Sequence, residues 1–425
     1  MVTKTSAGRN GRMNRRPAGK QGWESQRLRN LVSQPESGVS VVCEERDPAI
    51  GEPGVLRLSC VTGGRFNDRD VKTPLMYERS RLSVSPEANT ILISRSNTPA
   101  LVGASAFVAQ SVSNVFLPDT LWLLRQAPGT EVCMRWLAFV LGSSRYRVEL
   151  QRIASGTSQS MKKIQKGAFL NLSVCVPPLP EQRKIAEILT TWDEALTQLD
   201  ALIDAQERRK KGLMQQLLTG KKRLRAYAKS PWKKVRMGEV LKRVFRPIDW
   251  SPEMALSLVS LRRRCGGLFR RPDVLAADYK TQDLHELHAD DFLISKRQVV
   301  HGAWGLVKSE FAGSHVSKEY AILVNTAPKS LHMPFFAWLC QTPRMIRLAR
   351  VASTGVHIEK LIFDPEVFLR DSIRIPGSVE EQREIAAVLD AAERETVLLR
   401  DQRDAIDQQK RGLMQRLLTG RVRVK

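Results

Sequence analysis

The sequence is short of acidic residues, of aromatics and of paired cysteines, and each shortage removes a class of function. Asp and Glu number 44 against 68 Lys and Arg, which leaves a formal charge of +24 and a pI near 10.2. An excess of that size points to a polyanionic partner. Only 5 Tyr and 13 Phe are present, too few platforms for splayed bases, so duplex DNA fits better than a single strand or RNA. The six cysteines, at 43, 60, 133, 175, 265 and 340, form no Cys-x-x-Cys pair and have no His at zinc-site spacing. They are expected as buried thiols in a reducing compartment. No apolar run approaches the roughly 18 residues that cross a bilayer, and the basic N-terminus leads into no apolar signal core. A cytoplasmic protein that makes no use of a membrane is expected.

Catalytic motifs are equally scarce. Adenine methyl transfer needs Asn/Asp-Pro-Pro-aromatic, in which the polar residue and prolines hold the exocyclic amine and the ring stacks on the flipped base. The one Pro-Pro, Pro177-Pro178, runs into Leu179. No Gly-x-x-x-x-Gly-Lys-Ser/Thr phosphate loop exists. Asp273 and Asp278, the latter followed by Tyr279-Lys280, have a nuclease flavour, but four intervening residues are too few for the strand and turn that would bring both acids to one Mg²⁺. His285 and His288, near Asp290 and Asp291, would share a helix face, but solvated polarity is the favoured reading and no metal site is expected.

What is present is a repeat. Displaced by 200 residues, Glu181-Gln182-Arg183 falls on Glu381-Gln382-Arg383, and the match runs without gaps to Gly220 and Gly420 with 18 of 40 positions identical. Each copy is predicted as one helix of about 39 residues, a rod of roughly 58 Å. Pro177, Pro178 and Pro180 precede the first, and Ser378 with Glu381 forms a capping-box pattern at the second. Gly220 and Gly420 are the predicted stops. Ile185, Leu189, Trp192, Leu196, Leu199 and Ile203 recur at steps of four and three, the seam of a coiled coil. Ile385, Leu389, Ala392, Leu399 and Ile406 follow the same seam in the second copy, with Thr396 and Arg403 as interruptions. Two such helices in one chain are expected to pack on each other. Gly212 and Gly412 lie inside the helical pattern, where glycine costs about 1 kcal/mol, and suggest a kink or a close backbone approach.

Fainter echoes link the remaining halves. Trp23 with Arg27, Leu28 and Leu31 resembles Trp232 with Arg236, Met237 and Val240; Ile91–Arg95 resembles Phe292–Lys296; Ser155-Gly156-Thr157 resembles Ser353-Thr354-Gly355. Strands such as 321–324 and helices such as 335–339 make each half an α/β globule of about 150 residues. The expected boundaries are a disordered basic arm over 1–22, globules over 23–176 and 221–374, and helices over 177–220 and 375–425, the last ending in a basic tail. Arginine is concentrated in loops. Arg262, Arg263 and Arg264 lead through Cys265-Gly266-Gly267-Leu268-Phe269 to Arg270 and Arg271, and Gly63-Gly64-Arg65-Phe66-Asn67-Asp68-Arg69 has a similar character. Glycine admits close backbone approach, and an arginine fork bridges guanine O6 and N7 or clamps phosphate. Arg65, Arg69, Arg95, Lys296 and Arg297 join those five arginines as candidate DNA contacts. The connector from Lys221 to Arg243 holds ten basic residues against one acid, Glu239, and suits phosphates or an acidic partner.

The segments 178–186 (Pro-Leu-Pro-Glu-Gln-Arg-Lys-Ile-Ala) and 211–220 (Lys-Gly-Leu-Met-Gln-Gln-Leu-Leu-Thr-Gly), with their second copies at 381–386 and 411–420, resemble the helical regions of specificity subunits of type I restriction-modification systems. That resemblance implies an α/β fold with two pseudo-twofold-related target-recognition domains separated by two long antiparallel coiled-coil helices. It also implies a non-catalytic subunit that binds a bipartite double-stranded DNA site, without a cofactor of its own. Two modification subunits would bind S-adenosylmethionine and methylate adenine. Restriction subunits would use ATP and Mg to translocate and cut. No base contact can be carried over, because the family's recognition domains differ with the DNA they read. A stand-alone regulator with two DNA-binding modules is the alternative, and a fused restriction enzyme a remoter one.

Overall fold

A computed structural model describes residues 22–156 and 160–424. The arm expected over 1–22 lies, up to residue 21, outside the described residues, as does Thr157 of the third echo. The chain divides into two compact units: unit 1 holds residues up to Gln198 together with those from Arg403 onward, and unit 2 holds Leu199–Gln402. The dividing lines fall inside the two repeated helices, so each unit contains one globule and a segment of both.

In unit 1 the order is β1 (Glu24–Arg27), β2 (Glu36–Ser37), β3 (Thr90–Ser94), β4 (Ser105–Val108), β5 (Leu121–Leu124), α1 (Met134–Gly142), α2 (Ser144–Ile153), β6 (Ser173–Val176) and the long α3 (Leu179–Leu217). The main sheet is antiparallel in the order β2-β5-β3-β4. Its central strand reads Thr-Ile-Leu-Ile-Ser and is buried throughout, because successive side chains leave opposite faces of a strand and both faces are covered. Ile91 and Ile93, with Trp122 and Leu124 of β5, face the core formed with α1 and α2. Leu92, Leu121 and Leu123 face a second core, to which the four-stranded sheet of 43–44, 54–56, 71–74 and 115–116 contributes.

Unit 2 repeats the plan with β7 (Trp232–Arg236), β8 (Leu241–Val244), β9 (Val259–Leu261), β10 (Leu268–Arg270), β11 (Phe292–Ser295), β12 (Trp304–Leu306), β13 (Tyr320–Asn325), α4 (Met333–Cys340), α5 (Pro343–Val351), β14 (Ser353–Thr354), β15 (Ile362–Phe363), β16 (Ser372–Pro376) and α6 (Val379–Leu417). The sheet order β8-β13-β11-β12 matches that of unit 1, and Phe292 and Ile294 face one core while Leu293 and Ile322 face another. In each unit the first strand pairs antiparallel with the last before the helix, β1 with β6 and β7 with β16. That pairing closes the globule where its helix departs.

Both helices contain 39 residues and keep the offset of 200 at both ends. Gly220 and Gly420 follow with φ of +71° and +62°, the left-handed stop that glycine makes without strain. Four expectations are corrected. A Cβ added at Gly212 or Gly412 would meet nothing within 4 Å, so no close backbone approach explains these glycines. Thr396 does not interrupt the seam: it is fully buried, its hydroxyl satisfied by the Ala392 carbonyl one turn back at 2.9 Å. Ser378 caps α6 through the Glu380 and Glu381 amides, but Glu381 does not complete the reciprocal half of the box because Arg223 engages its carboxylate. The first seam residues serve the globules as well: Ile185 and Leu189 sit in the core of unit 1 and Ile385 and Leu389 in that of unit 2. Further along, Leu196 is buried, whereas Trp192, Leu199, Ile203, Leu399 and Ile406 are half-buried.

Candidate nucleic-acid interface

The globules are fixed to the helices by the repeated Glu-Gln pair. The Gln182 side chain accepts from the Cys133 amide at 2.9 Å and donates to the Pro177 carbonyl at 2.8 Å. Gln382 accepts from the His332 amide at 2.8 Å and donates to Ser330 and Pro376 carbonyls at 2.9 and 3.1 Å. Beside them, buried Glu181 accepts from Arg423 at 2.7 and 2.8 Å and from Trp23 Nε1 at 3.1 Å. Glu381 accepts from Arg223 at 2.9 and 2.8 Å. Each guanidinium lies over its unit's tryptophan, at 5.7 Å for Arg423 and Trp23 and 5.9 Å for Arg223 and Trp232. The basic residue after one helix thus holds the start of the other. Burial pushes the Glu181 carboxyl up, but the bonds from Arg423 and Trp23 outweigh it and leave its pKa below the ordinary range. Lys410 reaches Asp193 at 2.8 Å in unit 1, and Lys210 reaches Glu393 at 2.5 Å in unit 2. Within each unit the two helix segments therefore run antiparallel.

Unit 2 gathers its candidate arginines on one hairpin. β9 pairs with β10, placing Val259 opposite Arg270 and Leu261 opposite Leu268, with Arg262, Arg263 and Arg264 exposed at the tip. Arg264 and Cys265 both have positive φ, 57° and 56°, and the Gly266 amide donates to the Arg263 carbonyl at 3.2 Å. This is a tight turn of the kind that follows the twist of a hairpin. The tip is pinned by amide bonds from Arg264 and Cys265 to the His301 and Gly302 carbonyls, 2.7 and 2.8 Å. Arg262 lies over Phe269 at 4.7 Å and Arg271 over Tyr279 at 5.8 Å, while Arg270 donates to Ser257 Oγ at 2.7 Å and to the Glu310 carbonyl.

The turn that receives the tip begins at Lys296, whose carbonyl accepts from the Phe363 amide at 2.9 Å. Arg263 lies 3.7 Å and His301 3.4 Å from Glu359. The arginine hairpin, the 296–302 turn and the loop between β14 and β15 thus form one surface. Burial lowers the Lys296 ammonium below its ordinary pKa, and Arg243, Lys318 and Arg297 add to the shift against Glu319. Arg297 itself pairs with Glu319 at 2.5 Å.

Unit 1 does not reproduce this surface. Residues 63–69 form a loop, not a hairpin tip, and Arg65 turns onto the helix, where its Nε is 3.2 Å from Asp193. Arg69 is exposed. Arg95 donates to the Asp119 carbonyl at 2.5 Å and carboxylate at 3.3 Å, while its own carbonyl accepts from Ile164 at 2.8 Å, the counterpart of the Lys296–Phe363 bond. Asp273 and Asp278 are exposed, but the segment between them is not the expected surface loop: Val274–Leu275 pairs as a strand with Ala255–Leu256, and Ala276 is fully buried. His285 differs from its expected solvated place: it is buried on the strand 284–286 and its Nδ1 accepts from the Arg246 amide at 3.2 Å. Among the described residues no three His, Cys, Asp or Glu side chains converge on a metal-sized site, and no helix is long and apolar enough to cross a membrane.

The type I restriction modification DNA specificity domain matches residues 81–206, from the main sheet of unit 1 into α3. A putative type I restriction enzyme MjaX specificity subunit of Methanocaldococcus jannaschii is 22% identical over 95% of this chain and 94% of its own length. The chain is thus similar, along nearly its whole length, to specificity subunits of type I restriction-modification systems. The MjaVIII specificity subunit of the same organism is 23% identical over 62% of the chain and 65% of its own length. Two solved structures share the fold of this chain. The type I S subunit from M. genitalium has a TM-score of 0.58 and 13% identity over 94% of this chain and 97% of that one. A chain solved in a study of complex assembly and conformational transition of the type I R-M system scores 0.55, at 17% identity over 95% and 99%.

The anchoring roles of Glu181, Gln182, Glu381, Gln382, Arg223 and Arg423 are what sequence reasoning missed. The Glu-Gln identity was visible as a repeat. A polar pair at the start of a helix gives no sign that its partners lie 158 and 242 residues away. The pinning of the arginine hairpin on His301 and Gly302 likewise has no local sequence signal.

Proposed function

We propose that each unit reads one half of a split duplex DNA site and that the chain performs no chemistry on the DNA itself. The observation that carries this reading is the duplicated plan of a globule bonded through the same Glu-Gln pair to a 39-residue helix. Two readers on one frame suit two major-groove half-sites separated by one to two duplex turns. The exposed arginines of the 262–271 hairpin supply the contacts of unit 2, to phosphates for register and to guanine edges for sequence. In unit 1 the candidates are Arg69, Arg95 and Arg65, the last only if DNA draws it from Asp193. Two modification subunits, carrying S-adenosylmethionine, methylate adenine at the site so chosen, and restriction subunits, using ATP and Mg, cut elsewhere. All of that chemistry resides in the partners.

The test is to express the chain with its modification subunits and map methylated adenines by single-molecule sequencing. A split motif is expected. Exchange of residues 221–374 for the corresponding domain of a relative is then expected to alter one half of it alone. Change of both halves, or of neither, overturns the two-reader assignment, and methylation by the purified chain alone overturns its non-catalytic role.

A further inference from the structure

Three of the exposed apolar side chains of unit 2 lie together on one hairpin beside its arginines. β14 and β15 enclose a loop in which Val356 is 88% exposed and Ile358 47%, and Ile362 on β15 is 48% exposed. Scattered apolar residues are ordinary on a surface, but several on one projecting hairpin are not. The loop is not loose. A Cβ at Gly355 would lie 2.6 Å from the Lys360 carbonyl, so the glycine lets the hairpin close, and Glu359 lies 3.7 Å from Arg263 and 3.4 Å from His301. The unit therefore presents two β-hairpins side by side, one tipped with arginine and one with short branched aliphatics.

Unit 1 has the same frame with different contents. A Cβ at Gly156 would lie 2.8 Å from the Met161 carbonyl, five residues on, as Gly355 and Lys360 are. Between those points the sequence reads Thr-Ser-Gln-Ser in unit 1 and Val-His-Ile-Glu in unit 2. The closing glycine and the loop length repeat while the side chains do not, which is the pattern of a reading element.

We infer that the loop 356–361 enters the major groove of the half-site read by unit 2, where Val356 and Ile358 recognise thymine through its 5-methyl group. This rests on the reading of the chain as a DNA-specificity subunit. A two-stranded β-ribbon fits the major groove, and the thymine methyl is the one apolar mark displayed there. The positive charge of Arg263, Arg264, Lys296 and Lys360 around the loop makes a duplex, with its phosphate rails, the occupant that complements it. A wedge between base steps is the other way in which aliphatic side chains meet DNA, but wedges enter from the minor groove, whereas a β-hairpin is proportioned for the major groove.

The test begins once the methylated motif is known, so a failure to find any motif counts against the function and not against the loop. Thymines in the half-site assigned to unit 2 are replaced singly by deoxyuridine, which lacks only the methyl, and binding of the complete methyltransferase complex is measured. At one or two positions affinity is expected to fall about four-fold, the worth of one buried methyl group. The V356A/I358A complex is expected to bind more weakly and to be indifferent to the same replacements. A half-site containing no A·T pair overturns the proposal. So does indifference of the wild-type complex to every deoxyuridine, or an equal loss in both complexes. A rise in 2-aminopurine fluorescence at one step, abolished in the variant, would replace methyl reading by a wedge. Failure of the V356A/I358A chain to assemble with the modification subunits would overturn the proposal and make the loop a protein-docking surface instead.

Discussion

Replacing Arg223 by Ala should damage unit 2 more than the equivalent change at Arg423 damages unit 1. Glu381 is fully buried and both its oxygens accept from Arg223, whose side chain is itself only 20% exposed. Removing the guanidinium leaves a carboxylate without its counter-charge, a change that costs about 3–5 kcal/mol. For a unit of about 200 residues, each kcal/mol lowers the melting midpoint by about 2–4 °C, so a fall of roughly 6–20 °C is expected. Glu181 would lose Arg423, which is 40% exposed, but would keep the Trp23 indole N–H at 3.1 Å. The R423A loss should therefore be smaller by about 1.5–3 kcal/mol, the worth of a hydrogen bond to a charged group. Calorimetry of the two single variants and of R223A/E381Q decides the matter. The added Gln removes the stranded charge and should recover much of the loss. If E381Q recovers nothing in the R223A background, or if R223A and R423A melt alike, the account of a buried charge held by the other copy's tail is wrong.

G212A and G412A should each stabilise the protein by about 1 kcal/mol in thermal melts, since the new methyl meets nothing and Ala is the better helix former; G220A should destabilise it, with φ at +71° and the Trp232 ring 3.1 Å from the new Cβ. L196D places a charge at a site 2% exposed and should cost about 3 kcal/mol or more, with L199D milder because Leu199 is half-buried; co-purification with modification subunits and far-ultraviolet dichroism would report both. Because the folded Glu181 carboxyl is depressed, its contribution is present above the ordinary value of about 4.3 and fades as pH falls through the lower folded value. The unit 1 transition should lose midpoint across that acid window, and R423A should flatten the loss.

The helices were legible because their signals are local and doubled: the seam at Ile185, Leu189 and Leu196, the prolines ahead and Gly220 behind fix start, face and stop within the segment itself. The central strands were legible for the same reason, in runs such as 91–93 and 321–324. What escaped was whatever depends on distant residues. Thr396 looked like a fault in the seam because its side chain is polar, and only the helix geometry shows the Ala392 carbonyl satisfying it. The Ser378–Glu381 spacing promised a reciprocal cap, but a guanidinium 158 residues away binds the carboxylate more strongly than a backbone amide could. The arginine clusters at 65–69 and 262–271 looked alike in composition. One faces its own helix and the other crowns a hairpin, a difference set by the chain around them.

That difference shows where variation is permitted in this frame. Gly103 and Gly302 occupy the same turn between equivalent strands and share a left-handed φ, +77° and +73°. Their covers differ: a Cβ at Gly103 would meet Leu150 of α2 at 2.8 Å, and one at Gly302 would meet the Cys265 backbone at 3.2 Å. In unit 1 Arg147 secures the turn from α2, donating to the Val102 and Ala100 carbonyls at 2.9 Å. In unit 2 the arginine hairpin lies across it. A turn that needs a glycine under either cover belongs to the repeated frame, whereas the element laid over it belongs to the individual reader. The frame's buried Glu-Gln anchors have partners within each unit and tolerate little change. A hairpin tip held by two backbone hydrogen bonds, and a loop closed by one glycine, leave their side chains free to vary, and under the function proposed above it is there that a change in the DNA read is expected to occur without unfolding the chain.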